Sequence, residues 1–363
     1  MPPARSSRAN KRRGGSTRAA PTASGTRTAH SNTKATPSGL ESRFPTGPVP
    51  INTGNCEVIR DRDHSNRVTL MVGGVPSSYL DLNDPGFLAF EYMQQMAAVV
   101  DAVTHGPLKI LHLGAAGCAL ARYWDAERPG SRQLAVDIDA RLNERVRAWF
   151  DLPRAPRLRL RAADAAEVLR TTRANTYDVI VRDVFSGAVT PEHLIGLDVA
   201  EAARAALAPG GVYLVNCGDR PPLTLARREL ATITRAFTTH APSGHTLPAH
   251  AALIAEPGIL KGRRYGNLVI AAVKPPVIPD DEPSSSGSTP SSNPLAMSTS
   301  ATAPGPAPSS STPTQLTLAE SPLTSPALAR ALRALPVPAH ILTGTELTRF
   351  AGTAAPLIPP HNR

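Results

Sequence analysis

The sequence predicts an α/β protein in which a parallel sheet, covered by helices on both faces, follows a small antiparallel sheet. Two observations carry this reading. From about residue 109 to 273, continuous apolar runs of strand length alternate with segments of helical apolar spacing. Ahead of them, shorter strand-like runs are separated by turn formers at Asp61-Arg62-Asp63 and Gly73-Gly74.

The antiparallel part is expected at residues 56–60, 67–72 and 78–82. Asp84-Pro85 reads as a helix start, and Phe87, Phe90, Met93, Ala97 and Val100 recur at helical spacing over 87–103. Strands of the main sheet are expected at 109–113, 133–138, 158–162, 177–181, 212–217 and 268–273. Helices are expected between them at 118–127, 140–150, 165–171, 191–207 and 222–237.

The flanks read differently. Of the net charge of +10, nearly all comes from residues 1–43, where nine Lys or Arg face one acid, so the remainder is close to neutral. A basic segment rich in Ser, Thr, Gly and Pro cannot bury apolar surface and is expected to be disordered. It lacks the aromatics that would stack on bases, so a solvated leader is preferred to a nucleic-acid arm. The 37 Pro and 26 Gly are concentrated unevenly, and 275–325 reads as a disordered Pro/Ser/Thr linker. Helical spacing returns at 327–335. The expected organisation is a tail (1–45), a small β-domain (46–86), a nucleoside-binding domain (87–274), the linker, and a C-terminal segment (326–363) returning to that domain.

With 363 residues, 41% of them apolar, the chain can bury one large or two small cores. No window is long and apolar enough for a membrane helix, and no apolar run follows the first arginines, so a soluble chain that is not secreted is expected. Cys56, Cys118 and Cys217 show no paired or metal-ligand spacing, which suits a reducing cytoplasm. The loose series His240, His245 and His250 reads as loop histidines, and no metal site is expected.

Leu113-Gly114-Ala115-Ala116-Gly117-Cys118 joins the first strand of the alternating series to a helix, where small residues let a ligand approach the backbone and the helix start offers amide hydrogens. The second strand ends in Asp137-Ile138-Asp139, where a carboxylate can take both ribose hydroxyls. Asp164-Ala165 ends the third strand, placed to accept from an adenine amino group, and Asp183 ends the fourth. Each signal alone is weak, because a strand-end Asp is commonly a helix cap. Their order places four loops around one crevice at the carboxyl ends of the strands. The loop lacks a full G-x-G-x-x-G, which favours a sulfonium nucleoside over a dinucleotide.

These residues resemble the spermidine and spermine synthases, or polyamine aminopropyltransferases. The chain looks most like the divergent spermidine-synthase-like branch of high-GC bacteria. The resemblance runs over about residues 55–274 and resumes at about 327–354. It rests on Gly73-Gly74-Val75-Pro76-Ser77-Ser78-Tyr79, Asp84-Pro85 with Phe90-Glu91-Tyr92-Met93, His112-Leu113-Gly114-Ala115-Ala116-Gly117, Val136-Asp137-Ile138-Asp139, Ala163-Asp164-Ala165, Tyr177-Asp178-Val179-Ile180-Val181-Arg182-Asp183 and Ala208-Pro209-Gly210-Gly211. It implies a Rossmann-like S-adenosylmethionine-dependent methyltransferase fold with a small N-terminal antiparallel β-sheet. It also implies aminopropyl transfer from decarboxylated S-adenosylmethionine to a small-molecule amine, and it allows a homodimer through the N-terminal sheet.

By the same resemblance Asp183 is the catalytic acid, while Gly114, Gly117, Asp137, Asp164 and Ala165 bind the nucleoside. Tyr92 or Phe90 corresponds to the substrate-pocket tyrosine, and Ser186 stands in the acceptor site. The departures matter as much. Gly117 replaces the acid that pairs with the donor's amine, Ser186 replaces the second acid of D-S-S-D-P, and Ser77 and Gly73 replace the Gln and Asp of D-G-x-x-Q. Each change removes negative or polar character from a site for cations. An aminopropyltransferase-like enzyme, a methyltransferase using intact S-adenosylmethionine, and a non-catalytic nucleoside-binding scaffold therefore all remain open.

Overall fold

The computed structural model describes residues 43–187, 189–240, 246–275 and 321–359. Residues 1–42 of the expected disordered tail and nearly all of the expected linker lie outside these residues, as does His245, whereas Phe44 of the expected tail is buried against Phe150. A four-stranded antiparallel sheet comes first: β1 (Val49–Ile51), β2 (Gly54–Arg60), β3 (Arg67–Val72) and β4 (Val75–Asp81), paired in chain order. β1 was not expected, and it is only three residues long. Alternate residues Cys56, Val58, Val68, Leu70, Ser78 and Leu80 turn inward, as period-two burial requires.

The expected helix start at Asp84-Pro85 is corrected. Asp84 closes a turn instead, its carboxylate accepting from the Gly86 amide and its carbonyl from the Phe87 amide. Helix α1 (Glu91–Val103) begins four residues later than Phe87. It buries Tyr92, Met93, Met96, Val99 and Val100, which face the sheet at the i, i+4, i+7 spacing that marked the helix in the sequence.

The main sheet has eight strands. In chain order the elements are β5 (Lys109–Leu113), α2 (Ala119–Glu127), β6 (Arg132–Asp137), α3 (Ala140–Trp149), β7 (Leu158–Ala162), α4 (Ala165–Thr171), β8 (Tyr177–Arg182), α5 (Leu197–Ala206), β9 (Leu207–Asp219) and α6 (Thr224–Phe237). A two-stranded ribbon, β10 (Thr239–His240) and β11 (Thr246–Leu247), leads to β12 (His250–Ala255), α7 (Pro257–Leu260) and β13 (Gly266–Val273). After residue 320 come α8 (Pro326–Ala334), β14 (His340–Leu342) and α9 (Gly344–Ala351).

The strand order is β14-β12-β13-β9-β8-β5-β6-β7. Strands β7, β6, β5, β8 and β9 are parallel, but β13 runs antiparallel to β9, β12 to β13, and β14 to β12. The expectation of a parallel sheet thus holds for five of the six expected strands and is corrected for the sixth, β13, which runs antiparallel. β12 was not foreseen, although its His-Ala-Ala-Leu-Ile-Ala run is buried from Ala251 onward. The expected single helix 191–207 is split: a 3₁₀ turn (Glu192–Leu194) ends before Gly196, and α5 starts after it. The C-terminal piece borders the far edge of the sheet, with α8 against α1 and α9 against α6. This is a Rossmann-like, methyltransferase-type α/β fold carrying a small antiparallel sheet at its N-terminal side. The chain adds β6 and β7 on one side of β5 and then crosses to add β8 and β9 on the other, and this switch opens a crevice at the carboxyl ends of the parallel strands.

Candidate active site

A cavity of about 610 Å³ lies over those carboxyl ends, a volume suited to a nucleoside with a second small molecule. Gly114, Asp137, Asp164, Ala165, Asp183, Tyr92 and Ser186 all line it. Seven of the eight residues singled out from the sequence therefore meet in one place. Gly117 is the exception. Its amide donates to Ser78 Oγ at 2.9 Å, and a Cβ built on it would come within 2.8 Å of Ser78 Cβ, so it joins the loop to β4 and faces away from the cavity.

The loop between β5 and α2 is set by its small residues. Gly114 has φ +77°, and a Cβ there would lie 2.2 Å from the Asp183 carbonyl oxygen, so glycine is required for β5 and β8 to end side by side. The amides of Ala115 and Ala116, expected to be offered to a ligand, are directed at the Asp137 carboxylate, which also accepts from the Asp139 amide at 3.0 Å. Burial pushes the Asp137 carboxyl above the usual range, and these three amides offset the shift in part. Asp139 has a different job. It caps α3 through the Leu142 amide at 2.7 Å and takes both the amide and the hydroxyl of Thr53, fastening the β1–β2 turn over the Asp137 side of the cavity.

Asp164 caps α4, its Oδ1 accepting from the amides of Ala166 and Glu167 at 2.9 and 3.0 Å, while Oδ2 faces His193 Nε2 at 2.8 Å. Burial would raise its pKa, but the helix amides and His193 outweigh that and hold the carboxyl below its ordinary value. The cap reading and the cavity-lining reading of this residue are thus both realised.

Asp183 terminates β8. Tyr92 donates its hydroxyl to Oδ2 at 2.8 Å and Asn216 donates Nδ2 to Oδ1 at 2.9 Å. Burial pushes the Asp183 carboxyl up against the effect of these donors and of Arg182, and burial with the nearby Asp183 charge pushes the Tyr92 phenol well above its usual range. Phe90 stacks on Tyr92 with centroids 5.9 Å apart, so the pair left open by the sequence lies together, and Tyr92 is the one that reaches the carboxylate. Behind the site, Arg182 is fully buried and paired with Glu229 of α6, which fixes the end of β8 from below.

Several lining residues were not foreseen. Asn216 is a polar side chain in the buried 212–217 run of β9, and its Oδ1 is buried without a hydrogen-bond partner among the described residues. A lone amide at the end of a buried strand was the available signal. Thr53, His193, Tyr265 and Asn267 also line the cavity, brought there by long-range packing, and Phe185 lines it from the loop that carries Asp183. His112 is 3% exposed, its Nε2 faces Gln133 Oε1 at 2.9 Å, and burial lowers its pKa to about 4, so it is a neutral core residue at the cavity's inner wall. Tyr79 pairs with Asp61 on the small sheet, and Tyr177 lies outside the cavity. Among the described residues, no group of three or more His, Cys, Asp or Glu is placed to hold a metal ion, and no helix is long and apolar enough to cross a membrane.

The fold is similar to that of a solved structure, a probable spermidine synthase from Corynebacterium glutamicum. Identity is 31% with a TM-score of 0.67, over 86% of this chain and 96% of the other. The chain belongs to the spermidine synthase-like family. This spermidine synthase-like chain is also 32% identical over 146 residues to the polyamine aminopropyltransferase of Chromobacterium violaceum, covering 39% of this chain and 55% of that protein. It is 29% identical over 174 residues to the polyamine aminopropyltransferase of Neisseria meningitidis serogroup A, covering 47% and 66%. It spans between about half and two thirds of the length of these curated relatives. No family model matches the chain.

Proposed function

We propose that this chain is an aminopropyltransferase-like enzyme, moving an aminopropyl group from decarboxylated S-adenosylmethionine to an amine with Asp183 as base. The observation that carries the reading is the half-buried Asp183 carboxylate, held by Tyr92 and Asn216 on a cavity that also exposes Asp137 and Asp164. Asp137 would take the ribose hydroxyls and Asp164 the adenine amino group. The sulfonium of the bound nucleoside activates the neighbouring carbon toward displacement. The amine nitrogen forms a bond to that carbon, the carbon–sulfur bond breaks with its electron pair going to sulfur, and the ammonium proton passes to Asp183.

An amine has a pKa near 10, so a base within hydrogen-bond reach keeps the nucleophile's lone pair available. A carboxyl pushed up by burial is a stronger base than a solvated one. Tyr92, held as a neutral donor, orients the carboxylate without competing for the proton, and alignment of the two reactants supplies much of the remaining rate.

The test is incubation of purified protein with decarboxylated S-adenosylmethionine and a panel of amines. Methylthioadenosine is expected with at least one amine, and its absence with all of them overturns the reading. One observation favours methyl transfer as a second reading: Gly117 offers no acid and its Cβ position is filled by Ser78, so the donor's amine loses a charged partner. Calorimetric comparison of the two nucleosides separates the cases, with tighter binding of intact S-adenosylmethionine supporting a methyltransferase.

A further inference from the structure

Among the described residues, three acids line the cavity, Asp137, Asp164 and Asp183, and no Lys or Arg does. Two of the three are committed to backbone amides at the nucleoside end, leaving Asp183 facing the other end. Beside it, the buried Asn216 Oδ1 has no hydrogen-bond partner among the described residues while Nδ2 of the same side chain holds Asp183. An unpartnered buried acceptor is costly unless something fills it, and an N–H donor next to a carboxylate is what the geometry accepts.

Away from this head the walls change character. Phe90 stacks on Tyr92, and Phe185 and Tyr265 both close on Gly218, two residues beyond Asn216 on β9. Ser186 and Asn267 add neutral polar groups. A further carboxylate, Glu91, lies outside the lining and accepts from Asn267 Nδ2 at 3.2 Å. A second ammonium carried into this end would meet aromatic and neutral walls, which attract it less than a carboxylate does.

We propose that the acceptor is a monoamine: one primary amine held between Asp183 and Asn216 Oδ1, with an uncharged apolar body against Phe90, Phe185 and Tyr265. This rests on the transferase reading above and narrows its substrate class.

Calorimetry on the full chain saturated with methylthioadenosine tests it with two amines of equal length, n-pentylamine and 1,4-diaminobutane. Pentylamine is expected to bind about tenfold tighter or more, the scale of one charge-assisted contact. Ser186→Asp, which adds a carboxylate at an exposed lining position, is expected to narrow or reverse that preference. Asn216→Leu is expected to weaken pentylamine about tenfold. Equal or tighter binding of diaminobutane to the unaltered protein overturns the proposal, and loss of that binding in Glu91→Gln would name the second carboxylate responsible. Binding of neither amine also overturns it. Failure of methylthioadenosine itself to bind counts instead against the transferase reading.

Discussion

The carbonyl oxygen of Asp183 sits 2.2 Å from where a Cβ on Gly114 would be. The end of the first parallel strand is thereby registered against the end of the fourth, and the Asp183 amide donates back to the Leu113 carbonyl at 2.8 Å. Gly114→Ala adds a side chain at φ +77° and forces that carbonyl away. The expected cost is about 1–3 kcal/mol in urea unfolding. Transferase activity is expected to fall further than the folded fraction, because the Asp183 carboxylate moves with its backbone.

Asp183→Asn is expected to lower turnover by about 10²–10⁴-fold with nucleoside affinity retained. Its effect on stability has a defined sign. Burial raises the folded-state pKa of Asp183 above the unfolded value of about 3.9, so the folded chain binds the proton more tightly between the two values. The contribution is present below the unfolded pKa and is lost as pH rises through the folded one. Urea unfolding at pH 4 and pH 7 should show Asp183→Asn gaining stability relative to the unaltered chain at the higher pH. A relative loss there would contradict the assignment.

Gly117→Asp adds an acid where the family resemblance implies one, but Ser78 Cβ and Oγ stand 2.8 and 2.9 Å from its Cβ. The single variant is expected to lose about 1–3 kcal/mol. Adding Ser78→Gly makes room and should recover much of that loss. If the two losses simply add, the packing explanation fails.

His112 supplies a pH test on the core side of the cavity. Its pKa falls from 6.5 to about 4 because burial disfavours the imidazolium. The folded chain then binds fewer protons than the unfolded one between these values, so stability is complete above about pH 6.5 and is lost as pH falls toward 4. The loss should approach ~3 kcal/mol. His112→Gln is expected to flatten this slope, as read by urea unfolding across the window.

Most of the site was legible because it depends on local chemistry at strand ends. Gly114, Asp137, Asp164 and Asp183 each follow a strand-like run, and parallel strands carry successive carboxyl ends to one edge whatever their order. The side chains that complete it were less visible. Asn216 comes from a strand whose neighbour is antiparallel, and Thr53 reaches the cavity because a turn of the small sheet docks on α3 through Asp139. Such placements come from contacts across 33 residues for Asn216 with Asp183 and 86 for Thr53 with Asp139, which leave no periodic trace. β12 was missed because an Ala-rich run marks burial without choosing between strand and helix. Gly117 was placed in the nucleoside site by its motif, and only the packing of Ser78 shows that it faces the small sheet.

The central claim is that Asp137, Asp164 and Asp183 surround one adenosine-bearing thioether or sulfonium. Calorimetric titration of methylthioadenosine into the full chain and its Asp137→Asn variant tests this most directly. One-to-one binding, weakened about tenfold or more by the substitution, is the expected result. No binding to the unaltered chain, or equal affinity in both proteins, would contradict it.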